Sequence, residues 1–329
     1  MMQHQSLSQA DAHRLLPTRP ALSIVVPAFN EEDSIAEVVK TLDLTASGLV
    51  ASHEIILVDD GSTDHTLERA RELCGPYPVR VLRLSRNFGK EHAIMAGLEA
   101  SKGNVVATLD ADLQEPISAL GTMLAHLQDG YEMAYAVRAH RRDEGRAKRV
   151  LTRAFYRLIS WGSDVDIPPD ARDFRLMDRK VVDALCALPE RNRFMKGLYG
   201  WVGFRCIAVP VELQARANGN SKFGFRGLFR LATTGITSFT DWPLRVWTGV
   251  GICVAILSLL YGLWIAAKTL MLGVDVPGWS TLAVGTFFLG GVQLISIGVL
   301  GEYLGRVFTE VKARPGYLVA EEISADVAD

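Results

Sequence analysis

The chain has 329 residues, 49% of them hydrophobic, and a formal net charge of −2. This length allows a sizeable core and more than one structural part. The four cysteines are scattered without a Cys-x-x-Cys pair, which argues against a disulfide framework and a zinc site and suits a reducing compartment. The small net charge hides a basic block, because residues 138–230 carry 20 Lys/Arg against 10 Asp/Glu. Such a block suits the phosphate groups of a nucleotide or a lipid surface, or else it is an ordinary solvated helical surface.

Four apolar segments in the first third of the chain each end in polar residues and are followed by a helical pattern. The predicted strands span residues 22–26, 54–58, 79–84 and 104–109. Repeated strand–loop–helix units predict an α/β domain with a doubly wound, mostly parallel sheet. Because ligands of such sheets bind at the carboxyl ends of the strands, the polar residues at those ends are candidate site residues.

The fourth predicted strand ends in two carboxylates, Asp110 and Asp112, spaced i, i+2. Oxygen ligands of this kind suit Mg²⁺ or Mn²⁺, which proteins usually share with substrate phosphates. By itself, the pair fits two solvated acids at a strand end equally well. The three other strand ends, which are also polar, favour a binding site: Pro27-Ala28-Phe29-Asn30-Glu31, Asp59-Asp60-Gly61-Ser62-Thr63-Asp64 and Arg86-Asn87-Phe88-Gly89-Lys90. A Gly-x-Gly-x-x-Gly after the first strand and a Walker-type loop are both missing, which argues against dinucleotide and P-loop sites.

Two long uncharged segments near the end of the chain predict a transmembrane hairpin. The first, residues 246–267, would reach roughly 33 Å as a helix, enough for a hydrocarbon core of about 30 Å. The second covers residues 276–301. A buried helical hairpin of a soluble protein is the alternative. The flanking positive charges favour a cytoplasmic location for both ends of the hairpin: Arg245, Arg306, Lys312 and Arg314.

Taken together, the motifs resemble the inverting glycosyltransferases of family 2, which have a GT-A (Rossmann-like) fold. The resemblance rests on the strand-end motifs, on Asp110-Ala111-Asp112-Leu113-Gln114 above all. Two downstream motifs are similar to those of the polyprenyl-phosphate branch: Asp173-Phe174-Arg175-Leu176-Met177 and Asn218-Gly219-Asn220-Ser221-Lys222-Phe223. This branch is the dolichol-phosphate mannosyltransferase-like group with its GtrB-type and ArnC-type enzymes. The processive synthases of the family carry Gln-x-x-Arg-Trp, which this sequence lacks, so we do not expect polymer synthesis.

The resemblance implies a donor site at the strand ends. Asp110, Asp112 and Gln114 would hold Mg²⁺ or Mn²⁺ near the donor diphosphate, and Asp112 would be essential for catalysis. The nucleotide sugar would be bound by Pro27, Asn30, Glu31, Asp59, Asp60, Lys90 and Asp110. Local alternatives exist for some of this region, since Pro27 also suits a strand end, Asp60-Gly61 a tight turn and Asp64 a helix cap.

The resemblance also places Asp173 at the usual position of a catalytic base. An acceptor phosphate monoester has a second pKa near 6 and needs little deprotonation at neutral pH. Asp173 would then orient the acceptor or Arg175, or stabilise positive charge at the anomeric carbon. Arg175 is a further catalytic candidate, and binding of the acceptor phosphate is expected of Arg175, Arg216, Ser221 and Lys222.

These inferences give a plan of the chain. A flexible N-terminus of residues 1–20, which lacks the apolar core of a signal peptide, precedes a cytoplasmic GT-A domain over residues 21–225. A juxtamembrane amphipathic helix over 226–243 leads into two transmembrane helices within 244–306, at about 245–270 and 278–302. A cytoplasmic tail, 307–329, follows. The expected location is the bacterial inner membrane, as a multi-pass protein with both termini cytoplasmic.

The expected reaction is transfer of a single sugar from a nucleotide-diphosphate sugar to undecaprenyl or another polyprenyl phosphate. UDP-glucose is the first candidate donor, and another UDP-sugar or GDP-mannose is the alternative. We expect no nucleic-acid partner, and a homo-oligomer, with a tetramer among the options. The rival functions are a catalytically silent membrane scaffold and a sugar-phosphate nucleotidyltransferase, although the latter normally shows a Gly-rich start after the first strand.

Overall fold

The computed structural model describes residues 21–112, 114–139, 171–191, 193–212, 242–272 and 278–324. Several predictions lie outside these residues: the flexible N-terminus, most of the juxtamembrane helix, and the acceptor candidates Arg216, Ser221 and Lys222.

The described elements alternate between strands and helices through the first half of the chain. In chain order they are β1 Leu22–Ala28, α1 Ile35–Leu49, β2 His53–Asp59, α2 Thr66–Leu73, β3 Val79–Leu84, α3 Lys90–Ala100, β4 Val105–Thr108, α4 Ala119–Gln128, β5 Met133–Arg138, β6 Ala171–Asp178, α5 Arg179–Ala187, α6 Met195–Trp201, β7 Cys206–Val211, α7 Trp242–Leu272, α8 Trp279–Val311 and β8 Val319–Ser324. The four strand–loop–helix units predicted from the sequence correspond to β1 through α4.

These strands form one mixed sheet in the order β7-β5-β6-β4-β1-β2-β3-β8. The pairs β1–β2, β1–β4, β2–β3 and β5–β7 are parallel. The pairs β4–β6, β5–β6 and β3–β8 are antiparallel. The predicted mostly parallel GT-A sheet is therefore confirmed. The chain runs from β1 outward to β3 and then returns to the other side of β1 for β4, so strand order reverses between β1 and β4. A crevice at the carboxyl ends is expected at such a reversal.

The central strands are buried on both faces because helices cover both faces of the sheet. Ile24 and Val26 of β1 belong to the apolar cluster under α1 and α4, whereas Val25 belongs to the cluster under α3, α5 and α6. Helix α3 approaches β1 closely at Gly97, where an added Cβ would lie 2.2 Å from Val25 Cγ1. This glycine lets α3 pack tightly against β1, and α3 begins at Lys90 of the candidate site.

The two long helices near the C-terminal end expose their apolar side chains. Helix α7 has 31 residues and α8 has 33. The segment Phe288–Lys312 is long and apolar enough to cross a membrane, and none of it is buried; no other helix of the described residues meets that test. Because large apolar side chains such as Trp264 and Phe288 are exposed, a helical hairpin buried inside a soluble protein does not fit. The hairpin associates with a membrane.

The predicted cytoplasmic tail is in part a strand of the eight-stranded sheet. Helix α8 ends at Val311, and β8 then pairs antiparallel with β3, with Arg80 opposite Ser324 and Leu82 opposite Glu322. Charged side chains join this edge strand to its neighbours: Arg71 contacts Glu321 at 2.7 Å and Arg80 contacts Glu322 at 3.0 Å. The sequence Val-Ala-Glu-Glu-Ile-Ser is short and half polar, so its pattern alone did not predict a strand.

Candidate active site

A cavity of about 380 Å³ opens at the carboxyl ends of β1 and β4, where the strand order reverses. Its wall contains six of the residues predicted from the sequence: Pro27, Glu31, Asp60, Lys90, Asp110 and Asp112. The remaining wall is formed by Ala28, Phe29, Asn87, Gly89, Ala93 and Ala111. The cavity therefore brings the four strand-end motifs together, as the alternation of strands and helices requires.

The loop after β1 is held to the loop after β2 by backbone and side-chain hydrogen bonds. Asn30 has a left-handed backbone with φ 56°, which asparagine tolerates better than most residues. Its amide oxygen accepts the Thr63 N–H at 2.9 Å, and its own N–H donates to Ser62 Oγ at 3.0 Å. The Glu31 N–H donates to Thr66 Oγ1 at 2.8 Å. Asn30 thus shapes the rim of the site.

The two carboxylates that end β2 both accept backbone hydrogen bonds. Buried Asp59 accepts the Ser62 N–H at 3.0 Å. Asp60 accepts the N–H groups of Phe88 at 2.7 Å and Gly89 at 2.9 Å, which fixes the start of α3. Burial raises the pKa of Asp60, and these two N–H groups oppose that rise. The turn after Asp60 needs glycine, because Gly61 has φ +68° and a Cβ there would lie 2.5 Å from the Arg86 carbonyl carbon.

Asp64 combines the capping role that the sequence suggested with a contact to the first loop. Its Oδ1 accepts the Thr66 N–H at 3.0 Å and the Thr66 hydroxyl at 2.6 Å, at the first residue of α2. Its Oδ2 accepts the Glu32 N–H at 3.4 Å. Burial raises the pKa of Asp64, but the hydrogen bonds that its carboxylate accepts, those from Thr66 and Glu32 among them, together outweigh burial and lower the pKa below its usual value.

Lys90 lies between carboxylates from two different strands. Its Nζ is 2.6 Å from Oδ1 of Asp110, at the end of β4, and it also contacts Oδ2 of Asp173, on β6. Burial lowers the pKa of Lys90, but the charges of Asp173 and Asp110 outweigh burial and raise it overall. Lys90 is therefore a permanent cation at neutral pH. It connects Asp110, a predicted residue of the nucleotide-sugar site, to Asp173.

The backbone of Asp173 is fixed by Thr108, and its carboxylate faces two lysines. Thr108 Oγ1 donates to its backbone carbonyl at 2.8 Å, and Lys196 Nζ lies 3.9 Å from its Oδ1. Burial raises the pKa of Asp173, but the charges of Lys90 and Lys196 outweigh burial and lower the pKa to about 2. A carboxylate with this pKa is a weak base at neutral pH.

The predicted metal ligands sit beside an ion pair that the sequence did not reveal. The Gln114 N–H donates to Asp112 Oδ1 at 3.2 Å, and Arg172 donates to Gln114 Oε1 at 3.4 Å. Arg172 also binds Glu115 Oε1 at 2.9 Å, whereas buried Oε2 of Glu115 has no hydrogen-bond partner among the described residues. Burial, reinforced by the charge of Asp110, raises the pKa of Glu115 to about 7. Within the described part of the chain, no three His, Cys, Asp or Glu side chains are grouped as a metal site.

Arg175, which the resemblance offered as a ligand of the acceptor phosphate, is a buried residue of β6. The residue is only 3% exposed. Its guanidinium carbon lies 4.0 Å from the ring centre of Tyr199 and 5.2 Å from that of Tyr135. Burial lowers the pKa of Arg175. Asp173 and Arg175 are two residues apart on β6, so their side chains point to the same face of the sheet. Arg175 is the next residue of that face along the strand.

Sequence reasoning missed Lys196, Glu91 and Arg172. Lys196 follows no strand-end motif and reaches Asp173 only because α6 packs on the same face of the sheet. Glu91 accepts the Met195 N–H at 3.2 Å and so connects α3 with α6. The only sequence signal for Arg172 was its place beside Asp173.

The chain matches two family models. One is described as Glycosyl transferase family 2 and matches residues 23–186, and the other is described as GtrB C-terminal hairpin and matches residues 242–307. The first covers the cavity and the second covers the two long helices.

Similar proteins extend over nearly the whole chain. An uncharacterized glycosyltransferase of Synechocystis sp. is 46% identical over 304 residues, which are 91% of this chain and 95% of that protein. The SfII prophage-derived bactoprenol glucosyl transferase of Shigella flexneri is 44% identical over 91% of this chain and 97% of its own length. A prophage bactoprenol glucosyl transferase homolog of Escherichia coli is 41% identical over 91% and 98%. Among solved structures, mannosyl-3-phosphoglycerate synthase from Rubrobacter xylanophilus is 18% identical, with a TM-score of 0.45 over 65% of this chain and 71% of that one.

Proposed function

The chain belongs to glycosyl transferase family 2, and from this premise we propose that it transfers one glucosyl group from UDP-glucose to a polyprenyl phosphate at a membrane. One observation carries the proposal: a charged cavity at the strand-order reversal and an exposed apolar hairpin belong to the same chain. Relatives named bactoprenol glucosyl transferase match it over 91% of its length, and the two family models cover the cavity and the hairpin. A water-soluble donor and a membrane-bound acceptor together account for both features.

The transfer forms a bond between an acceptor phosphate oxygen and the anomeric carbon while the bond from that carbon to the donor diphosphate breaks. The electron pair of the broken bond leaves with the nucleoside diphosphate. Because the acceptor is largely a dianion at neutral pH, no proton has to move in this step. We therefore assign Asp173 an electrostatic role instead of that of a general base. Its pKa of about 2 supports this choice.

The carboxylates of the cavity suit the donor end of the reaction. Asp110 and Asp112 line the cavity and offer oxygen ligands, the type that Mg²⁺ and Mn²⁺ prefer, and Gln114 lies beside them with a neutral oxygen. These three residues would hold the ion, which when bound neutralises charge on the leaving diphosphate. Lys90 adds a fixed positive charge on the same side. Asp59, Asp60 and Asn30 bind loop backbone and keep the pocket in shape, while Pro27 and Glu31 form the wall on which the nucleoside rests.

The arrangement in the membrane is part of the proposal. We place α7 and α8 across a bacterial inner membrane, with the catalytic domain and both termini in the cytoplasm. The pairing of β8 with β3 supports a common side for the tail and the catalytic domain. Glycines along both helices, which allow close helix packing, support association into a homo-oligomer, a tetramer among the options.

Product analysis with purified protein tests this function. The protein in detergent or nanodiscs receives undecaprenyl phosphate, Mg²⁺ or Mn²⁺, and one labelled donor at a time from UDP-glucose, UDP-N-acetylglucosamine and GDP-mannose. With UDP-glucose we expect labelled lipid and one UDP released for each sugar transferred. The labelled lipid should carry a single sugar and should keep it after treatment with mild alkali. Lipid labelling by another donor alone would correct the sugar, and absence of labelled lipid with every donor would refute the transfer.

A further inference from the structure

The two oxygens of the Asp173 carboxylate face different lysines. Oδ2 contacts Lys90, which is also bound to Asp110, so this lysine is committed to two carboxylates. Oδ1 faces Lys196 at 3.9 Å, a distance too long for a hydrogen bond. Within the described residues Lys196 has no closer polar contact, and its side chain is 30% exposed. Lys90 is thus bound by two carboxylates, whereas the Lys196 ammonium is available to bind a ligand.

Lys196 also lies on the path from the membrane helix to the site. Both oxygens of Glu310, near the end of α8, accept the Arg191 N–H at 3.1 Å. Five residues later, Lys196 sits in the first turn of α6, whose first residue, Met195, is bound to Glu91 of α3. The short segment that carries Lys196 is therefore attached at one end to the membrane hairpin and at the other to the helix that carries Lys90.

The chemistry of the proposed acceptor demands a cation at this place. A phosphate dianion that approaches Asp173 is repelled by this carboxylate, because the cation bound to it, Lys90, is shared with Asp110. Arg175 cannot offset that repulsion by contact, because it is buried. Lys90 lies on the donor side, in the cavity wall. A lysine ammonium provides a mobile point charge that can bind a phosphate oxygen directly.

On the basis of the proposed function, we propose that Lys196 binds the phosphate of the polyprenyl phosphate acceptor and places one of its oxygens beside Asp173. The acceptor phosphate replaces the loose contact between Lys196 and Oδ1 of Asp173. Lys196 then acts in acceptor recognition and Lys90 acts on the donor side, so the two lysines divide the site between them.

Steady-state kinetics of Lys196→Gln and Lys196→Arg test this assignment. Loss of one hydrogen bond to a charged group typically costs roughly 1.5–3 kcal/mol, which corresponds to an increase of about 10-fold to 150-fold in the KM for polyprenyl phosphate. We expect this increase in Lys196→Gln, partial recovery in Lys196→Arg, and a KM for the nucleotide sugar within twofold of wild type. Lys180→Gln is the matched control. Lys180 pairs with Glu132 and lies two residues after Asp178, which is opposite Val105 at the amino end of β4, away from the cavity at the carboxyl ends of the strands.

A measurement on the wild-type protein guards against a variant that fails to fold. Brief lysine acetylation followed by mass spectrometry should show that undecaprenyl phosphate protects Lys196 and leaves Lys180 unprotected, whereas neutral undecaprenol protects neither. An unchanged acceptor KM in Lys196→Gln, an equal rise of both KM values, or equal acetylation of Lys196 with and without the lipid phosphate would overturn the assignment. The wild-type transfer assay run in parallel separates this from failure of the proposed function, in which wild type itself forms no glycolipid.

Discussion

The Lys90 ammonium lies 2.6 Å from Oδ1 of Asp110 and joins the first residue of α3 to the end of β4. The same ammonium contacts Asp173 on β6. A single positive charge therefore holds together three elements that are far apart in sequence, and it keeps two carboxylates of the site from repelling each other.

Replacement of Lys90 by Met should impair both stability and turnover. The two carboxylates lose their shared cation, and at a partly exposed site we expect a cost of about 1–2 kcal/mol, below that of a fully buried pair. Such a cost lowers Tm by roughly 2–8 °C for a domain of this size, measured by differential scanning fluorimetry in detergent. Turnover should fall by about 100-fold, as when one charge-stabilising donor is removed.

Two companion variants show whether charge is the cause. Lys90→Arg keeps the cation and should retain most of the Tm. In the double variant Lys90→Met/Asp110→Asn one of the carboxylates is neutral, so its Tm should lie above that of Lys90→Met. A double variant no more stable than Lys90→Met would mean that packing of the lysine stem, and not its charge, carries the effect.

Asp112 offers a test of the metal proposal that is independent of turnover. Asp112→Asn removes one negative oxygen from the proposed ligand set, and it should weaken Mn²⁺ binding by at least about 10-fold as followed by electron paramagnetic resonance. Turnover should fall by about 100-fold or more, since charge on the leaving diphosphate is no longer neutralised. Asp129→Asn, at the end of α4 and outside the cavity wall, is the matched control. Mn²⁺ binding by Asp112→Asn equal to that of wild type would remove Asp112 from the ligand set.

The stability of the catalytic domain should fall as pH rises from about 4.5 to about 7. Burial, with the charge of Asp173, raises the pKa of Glu91 from 4.5 to about 7. In this window the folded state binds more protons than the unfolded state, so the free energy of unfolding decreases as pH increases. Glu91→Gln keeps an oxygen for the Met195 N–H and should flatten the profile of Tm against pH. It should not flatten it fully, because the pKa of Glu115 is raised to about 7 as well. An identical slope in wild type and Glu91→Gln would show that Glu91 does not titrate in this range.

The part of the fold that local patterns specify was predictable. Strands β1 to β4 are mainly apolar segments followed by polar residues, and each precedes a helix, so their order and the shared edge of the polar motifs follow from the sequence. The partners of Lys90 were not predictable, because they come from β4 and β6, and only tertiary packing brings those strands to α3.

The burial of charged residues on β6 was the second feature that the sequence did not predict. Asp173 and Arg175 are both charged and alternate with apolar residues on β6, which reads as a solvated face. The structure instead covers this face with α6, leaving Arg175 between two tyrosine rings. Charge that is buried by a distant helix leaves no mark on the local pattern. The pairing of β8 with β3, and the ion pairs beside it, likewise join residues about 240–250 positions apart, which no local pattern reveals.

Strand β8 provides the last test, because it closes the edge of the sheet at β3. Deletion of residues 319–329 removes the strand pairing and exposes the unpaired edge of β3, together with the contacts of Glu321 and Glu322. We expect a loss of several degrees in Tm and concentration-dependent aggregation, followed by light scattering during the thermal scan. Deletion of residues 325–329 alone keeps the strand and is the matched control. Glu321→Gln should cost less than about 1 kcal/mol, since its pair with Arg71 is largely exposed. The backbone pairing of β8, more than its surface charges, should therefore account for the effect of the longer deletion. Equal Tm values for the two deletions would show that β8 contributes nothing to the stability of the sheet.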